Sequence, residues 1–121
     1  MTTINLTTTT LNDYTVEDLQ TIRSAACQAA EDAANSHIDY YGEQAYCGFA
    51  WINIWGIKGN TKLGKRMKAA GFNKDYTGAY QIWNPSGLGT QCMSTKEAGA
   101  SAAASVFKAA GFRCSAGSRA D

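Results

Sequence analysis

The segment Gly59-Asn60-Thr61-Lys62-Leu63-Gly64-Lys65-Arg66 has the G-x-x-x-x-G-K spacing of a loop that wraps nucleotide phosphates. Such a loop closes on Ser or Thr, whose hydroxyl holds magnesium, and here Arg66 occupies that position. No strand ending in a second metal-binding aspartate follows, and the spacing of Leu63, Met67 and Ala70 puts Gly64 inside a helix. Nucleotide hydrolysis is therefore not expected. What remains is a helix starting near Asn60 and Thr61 with Lys62, Lys65 and Arg66 in its first turns, which suits a phosphate or a carboxylate. A solvated basic face would have the same sequence.

Rings and cations recur on both sides of that segment. Trp51, Trp55, Tyr76, Tyr80 and Trp83 offer flat surfaces for stacking, and Lys62, Lys65, Arg66, Lys74, Arg113 and Arg119 offer positive charge. Asn84-Pro85-Ser86-Gly87 reads as a turn that presents amide and hydroxyl groups beside Trp83. A compact anionic ligand with a ring, such as a nucleotide, fits this combination. The ligand-binding candidates are Trp55, Lys62, Lys65, Arg66 and Tyr76, followed by Tyr80, Trp83, Asn84, Ser86 and Arg119. Core packing competes for the same rings and is expected to claim three of the five aromatics.

Catalysis has less to draw on. His37 is the only histidine and falls on the apolar stripe of a helix. No serine sits in a strained elbow, so a Ser-His-Asp set has no frame. A pair of His37 with Cys47 or Cys92 is open on spacing alone, and no catalytic residue is assigned. Cys27, Cys47, Cys92 and Cys114 lie 20, 45 and 22 residues apart, without paired metal-ligand spacing. No metal and no cofactor are expected. Two disulfides are formally possible, but reduced, buried thiols fit better with a chain that starts Met1-Thr2-Thr3-Ile4-Asn5 and shows no secretory leader.

Composition sets the outer bounds. The 121 residues make one domain, and 45% hydrophobic content supports a real core. No apolar run approaches the ~18 residues of a membrane span. A net charge of +1 argues against a dedicated polyanion binder, so extended nucleic acid and membrane are not expected partners. The charge is segregated, however. Residues 1–45 carry seven acids and one base, and residues 46–121 carry ten bases and three acids. Such halves attract each other within one molecule or between copies.

The elements that must position these groups follow from periodicity. Residues 1–14 form a threonine-rich arm ahead of a single domain over 15–121. Thr15-Val16-Glu17-Asp18 has the form of a capping box, and Val16, Leu19, Ile22, Ala26, Ala29, Ala33, His37 and Tyr40 recur at helical spacing. A helix from about Thr15 to Tyr41 would be about 40 Å long, longer than so small a globule is wide. Part of its stripe is expected to face another subunit, which makes a homo-oligomer the expected state. Gly42 ends the helix, and Tyr46 to Trp55 reads as a strand. One face of that strand carries Cys47, Phe49, Trp51, Asn53 and Trp55, and the other Tyr46, Gly48, Ala50, Ile52 and Ile54. Both faces are largely apolar, as in a central strand covered on each side.

Lys68-Ala69-Ala70-Gly71-Phe72 recurs unchanged as Lys108-Ala109-Ala110-Gly111-Phe112, the pattern of a helix stopped by glycine with a hydrophobic residue docking back. Extended stretches follow each copy, over Tyr76 to Trp83 and Phe112 to Ala116, and Gly117 to Asp121 reads as a tail. The expected fold is α+β: a long N-terminal helix, then strand, helix, strand, helix, strand, with the helices mainly on one face of a small sheet. Strand order is open at this level.

Cys47-Gly48-Phe49-Ala50-Trp51, Ile82-Trp83-Asn84-Pro85-Ser86-Gly87, Glu97-Ala98-Gly99-Ala100 and Gly117-Ser118-Arg119 together resemble a group of small uncharacterised proteins of tailed bacteriophages. The resemblance covers about residues 15–121. It implies an infected bacterial cytoplasm and an accessory or counter-defence role, and it carries over no catalytic residue. The expected function is thus a non-catalytic, homo-oligomeric binder that sequesters a small nucleotide-like host ligand. The alternative is an interaction module that caps a host protein or phage assembly through its aromatic strand face. A small hydrolase or transferase is a third option, with no residue to name for it.

Overall fold

The computed structural model describes residues 13–42, 48–74, 78–87 and 92–120. Thr15 opens helix α1 (Val16–Tyr41) with the reciprocal capping box its sequence spells. Its hydroxyl accepts from the Asp18 backbone N–H at 3.1 Å, and the Asp18 carboxylate accepts from the Thr15 N–H at 3.1 Å. Leu19, Ile22, Ala26, Ala30 and Ala34 form the buried stripe. Its small side chains let helix α3 (Met93–Ala109) approach closely, and a Cβ added at Gly99 would lie 3.1 Å from the Ala30 carbonyl oxygen.

Packing reaches ahead of the capping box. Tyr14 is buried, its hydroxyl donates to the Ala110 carbonyl at 2.8 Å, and its ring stacks with Phe112 at 6.1 Å. The rest of the threonine-rich arm, residues 1–12, lies outside the described residues.

Four antiparallel strands form one sheet: β1 (Gly48–Trp55), β2 (Asn73–Lys74), β3 (Tyr80–Trp83) and β4 (Arg113–Ala120), in the order β2-β3-β1-β4. With helix α2 (Lys62–Ala69) and α3 as crossovers, the path β1-α2-β2-β3-α3-β4 is a split β-α-β arrangement preceded by α1. Two sequence expectations are corrected. The sheet has four strands where three are expected: β3 (Tyr80–Trp83) falls within the expected Tyr76–Trp83 stretch, and Asn73–Lys74 ahead of it adds a short edge strand. Residues 117–120 are not a tail either, because β4 pairs with β1 from Trp55↔Arg113 to Gly48↔Ala120.

The repeated pentapeptide is two copies of one helix stop. Gly71 and Gly111 adopt φ of 101° and 96°, a region open to glycine. Phe72 N–H then bonds the Met67 carbonyl at 3.0 Å, and Phe112 N–H bonds that of Phe107 at 3.0 Å. Both phenylalanines dock inward and extend a run of rings through the core, Tyr80–Phe72–Phe107–Phe112–Tyr14, with neighbouring centroids 6.5, 6.0, 5.7 and 6.1 Å apart.

Burial raises the hydroxyl pKa of Tyr80 above its ordinary 10.0; burial and then the nearby Asp18 charge do the same to Tyr14. The unfolded chain ionises these groups first, so their contribution is complete below about pH 10 and is lost as pH rises above it. Melting temperature should be flat from neutrality to roughly pH 8 and then fall, the buried Cys27 and Cys114 thiols (raised from 9.0) contributing ahead of the two phenols. Tyr80→Phe gives up the bond from its hydroxyl to the Gly64 carbonyl at 3.2 Å. That variant should lose about 1 kcal/mol at neutral pH yet fall less steeply in alkali. Thermal melts across the alkaline range measure both, and equal slopes for the two proteins would contradict the assignment.

Candidate functional site

All strands expose one face, because the helices cover only the other. Alternation along β1 buries Gly48, Ala50, Ile52 and Ile54 and leaves Phe49, Trp51, Asn53 and Trp55 half-buried on the open side. Register then fixes their neighbours. Trp83 of β3 and Gly117 of β4 flank Trp51; Gln81 and Ser115 flank Asn53; Arg119 is opposite Phe49 and Arg113 opposite Trp55. Among the described residues of these rows there is no carboxylate.

Rings dominate one end of this face. Trp83, 51% exposed, lies 4.9 Å from Trp51 at 34°, and Phe49 meets its edge at 6.1 Å. A Cβ at Gly117 would fall 2.7 Å from the Trp51 indole nitrogen, so the missing side chain is what lets that indole lie across β4. Cations bracket Phe49: the Arg119 guanidinium at 5.7 Å and the Lys96 ammonium at 5.3 Å, the latter also donating to the Gly48 carbonyl at 2.9 Å. Beside the rings, the Trp83 indole N–H donates to the Gln81 carboxamide oxygen, and the Gln81 amide donates to Asn53 Oδ1 at 3.2 Å.

At the Trp83 end the face runs into a cavity of about 400 Å³ lined by Arg23, Gly71, Asn73, Lys74, Gln81, Ile82 and Trp83. It opens there because β2 stops at Asn73, opposite Gln81, and leaves Ile82 and Trp83 without a β2 partner. Arg23 reaches in from α1 with its guanidinium 5.9 Å from the Phe72 ring, and its Nε is buried without a hydrogen-bond partner. Lys74 also lines the cavity, but it pairs with Tyr80 across the sheet edge, and its ammonium turns to the Tyr80 ring at 5.1 Å and toward Gly59.

The sequence candidates separate in space. Trp83 and Arg119 lie on the open face, and Trp55 lies half-buried at its far end. Tyr80 is corrected: it is 2% exposed and belongs to the core, not to a stacking surface. Ser86 is buried as well, its hydroxyl donating to Asn84 Oδ1 at 3.1 Å, while Asn84 (φ 44°) ties the turn to β1 through the Ala50 carbonyl at 2.9 Å. Tyr76 lies outside the described residues. Of the five rings considered for stacking, Tyr80 alone among those described is fully buried, fewer than the three expected in the core.

Lys62, Lys65 and Arg66 sit elsewhere, on α2. Lys62 lines a separate cavity of about 500 Å³ together with Asp13, Lys58 and Thr61. Thr61 caps this helix, accepting from the Gly64 N–H at 3.1 Å and donating to the Lys58 carbonyl at 2.6 Å. Its oxygen thus takes a donor that an anion would need, and the Asp13 carboxylate opposes one. Lys65 is exposed, and Arg66 fastens α2 to the start of α1 by donating to the Tyr14 carbonyl at 3.2 Å.

Sequence reasoning misses Arg23, Asn73 and Gln81. Gln81 is within its reach, since strand alternation places it beside Trp83; Arg23 reads as the lone base of an acidic helix, with no local sign of where it points. Of the His37–Cys47 and His37–Cys92 pairs left open by spacing, Cys47 lies outside the described residues and Cys92 is buried, while His37 Nδ1 is 3.3 Å from Thr95 Oγ1. Burial pushes the other described thiols, Cys27 and Cys114, up from 9.0, away from the reactive thiolate. Among the described residues no group of His, Cys, Asp and Glu could hold a metal ion, and no helix is long and apolar enough to cross a membrane. No protein-family model, curated protein or solved structure matches the chain.

Proposed function

We propose that the protein is a non-catalytic binder of a small, anionic, ring-bearing ligand of nucleotide type, seated at the Trp83 end of the open face. One observation carries the reading: the cavity of about 400 Å³ lined by Trp83, Arg23, Asn73 and Gln81, with the buried Arg23 Nε lacking an acceptor. Its volume falls in the range of small-molecule sites, roughly 300–1,000 Å³. A ring stacks on the free side of Trp83, and a phosphate or carboxylate pairs with Arg23. The buried Arg23 Nε gains the acceptor it lacks. Asn73 and Gln81 supply donors and acceptors for a base edge.

The resemblance of four sequence segments to small phage proteins supports a use in an infected bacterium, where holding a host signalling nucleotide keeps it from its receptor. The 26 residues of α1 extend about 39 Å, which supports association of copies through that helix. A second reading, a module that caps a host protein or phage assembly, is favoured by the exposed pair Tyr40 (81%) and Tyr41 (61%) at the end of α1.

Calorimetric titration with nucleoside monophosphates and cyclic dinucleotides tests the first reading. Trp83→Ala and Arg23→Ala should each weaken binding about tenfold, which is about 1.4 kcal/mol, with circular dichroism unchanged. Affinity equal to that of the parent in both variants would remove the site. Native mass spectrometry that finds a retained polypeptide in place of a small molecule would favour the second reading.

A further inference from the structure

The cavity accounts for one end of the open face and leaves the rest of it without a role. Phe49, Trp51 and Trp55 stand on the central strand β1, and Trp83 on the neighbouring β3, all on the side the helices do not cover. From Phe49 to Trp55 the strand advances about 20 Å at 3.3 Å per residue. Cations accompany the rings along that length: Arg119 and Lys96 at Phe49, Arg113 opposite Trp55. Between them Asn53, Gln81 and Ser115 offer hydrogen-bonding groups in one cross-strand row.

We propose that this face binds a short single strand of nucleic acid, with two or three bases laid on the rings and the phosphates that flank them paired with Arg119 and Arg113. The proposal goes beyond the small-ligand reading and does not depend on the cavity. Four-stranded sheets that present rings on their two central strands stack two or three bases in this way, and the 2′-hydroxyl then separates RNA from DNA. Stacking is tolerant of sequence, because every base has a π-face. The chain's net charge of +1 argues against a long polyanion, but a strand this short meets only the local field. That field is cationic, since the described rows of the face hold Arg113 and Arg119 and no carboxylate. A duplex keeps its bases inside and cannot offer them to these rings. A polypeptide partner would match the apolar rings but leave the two guanidinium groups at the ends without a regular anion spacing.

The test is a fluorescence titration of the full chain with an oligouridylate and an oligothymidylate of about eight nucleotides, a matching duplex, and uridine monophosphate. The oligonucleotides should bind at least tenfold more tightly than the duplex and the monophosphate. Neutralising two or three phosphates predicts a log–log salt slope of about −1.4 to −2.1. Tighter binding of the uridylate marks RNA as the source, and equal binding marks any single strand; both support the proposal. Trp83→Ala should weaken oligonucleotide binding roughly tenfold or more, Trp83→Phe should restore most of it, and Arg119→Ala should flatten the salt slope. Arg23→Ala should leave it unchanged, whereas the cavity reading requires that variant to weaken the monophosphate. A duplex bound as tightly as the single strand, a strand bound no better than the monophosphate, or oligonucleotide affinity unmoved by Trp83→Ala would each overturn the proposal. So would co-purification of a nuclease-resistant polypeptide that blocks the strand. Monophosphate binding that survives those outcomes would leave the small-ligand reading standing alone.

Discussion

Phe107→Ala is expected to destabilise the domain by about 3–5 kcal/mol, the usual result of emptying a fully buried aromatic site. Phe107 is 0% exposed and stands at the middle of the ring run, with Phe72 at 6.0 Å and Phe112 at 5.7 Å, both edge-on. Each of those neighbours is itself the docking residue of a helix stop, so the cavity would loosen α2, α3 and the strands that follow them at once. A chain of 121 residues has a total stability of about 6–18 kcal/mol, so the loss is a large share of it. Chemical denaturation measures the difference as a shift in midpoint at constant slope. A loss below about 1 kcal/mol would mean that the rings are not the centre of the core.

Part of that core is legible in the order of residues alone. The capping box of α1, the two faces of β1 and the repeated helix stop are local patterns, and each reappears in the fold. The α1 stripe does so only to Ala26, after which the helix buries Ala30 and Ala34 rather than Ala29 and Ala33 and leaves Tyr40 exposed. Pairing is not local. Gly117-Ser118-Arg119-Ala120 has few strand-forming residues and looks like a tail; it is a strand because β1 pairs with it residue by residue. Gly117 has its reason across the sheet, in the indole of Trp51. The candidate site divides in the same manner. Tyr80 and Trp83 are close in sequence and group together there, yet three positions along a strand put them on opposite faces, one in the core and one on the surface. Alternation alone separates them and brings Gln81 to Trp83. Arg23 needs the packing of α1 over Phe72 before its place in the cavity exists. What the site takes from sequence is its rings; what it takes from the fold is their side of the sheet and the cations that accompany them.

Gly64→Ala separates the two meanings of the G-x-x-x-x-G-K segment. In an exposed helix the change stabilises by up to about 1 kcal/mol, because alanine loses less backbone freedom on folding. Here the added Cβ would lie 2.2 Å from the Lys58 carbonyl oxygen and 2.9 Å from the Gly59 Cα, and both are backbone atoms that cannot swing away. Relief requires moving α2 off the loop that precedes it. That shift strains two bonds which converge on the same residue: the Gly64 N–H to the Thr61 hydroxyl at 3.1 Å, and the Tyr80 hydroxyl to the Gly64 carbonyl at 3.2 Å. A net loss of about 1–3 kcal/mol is expected, the cost of overpacking a tight site. The glycine then serves the close approach of helix and loop, and nucleotide affinity per folded molecule should stay at the parent value. A variant that melts with the parent but no longer holds phosphate would reverse this reading and return the segment to a phosphate loop.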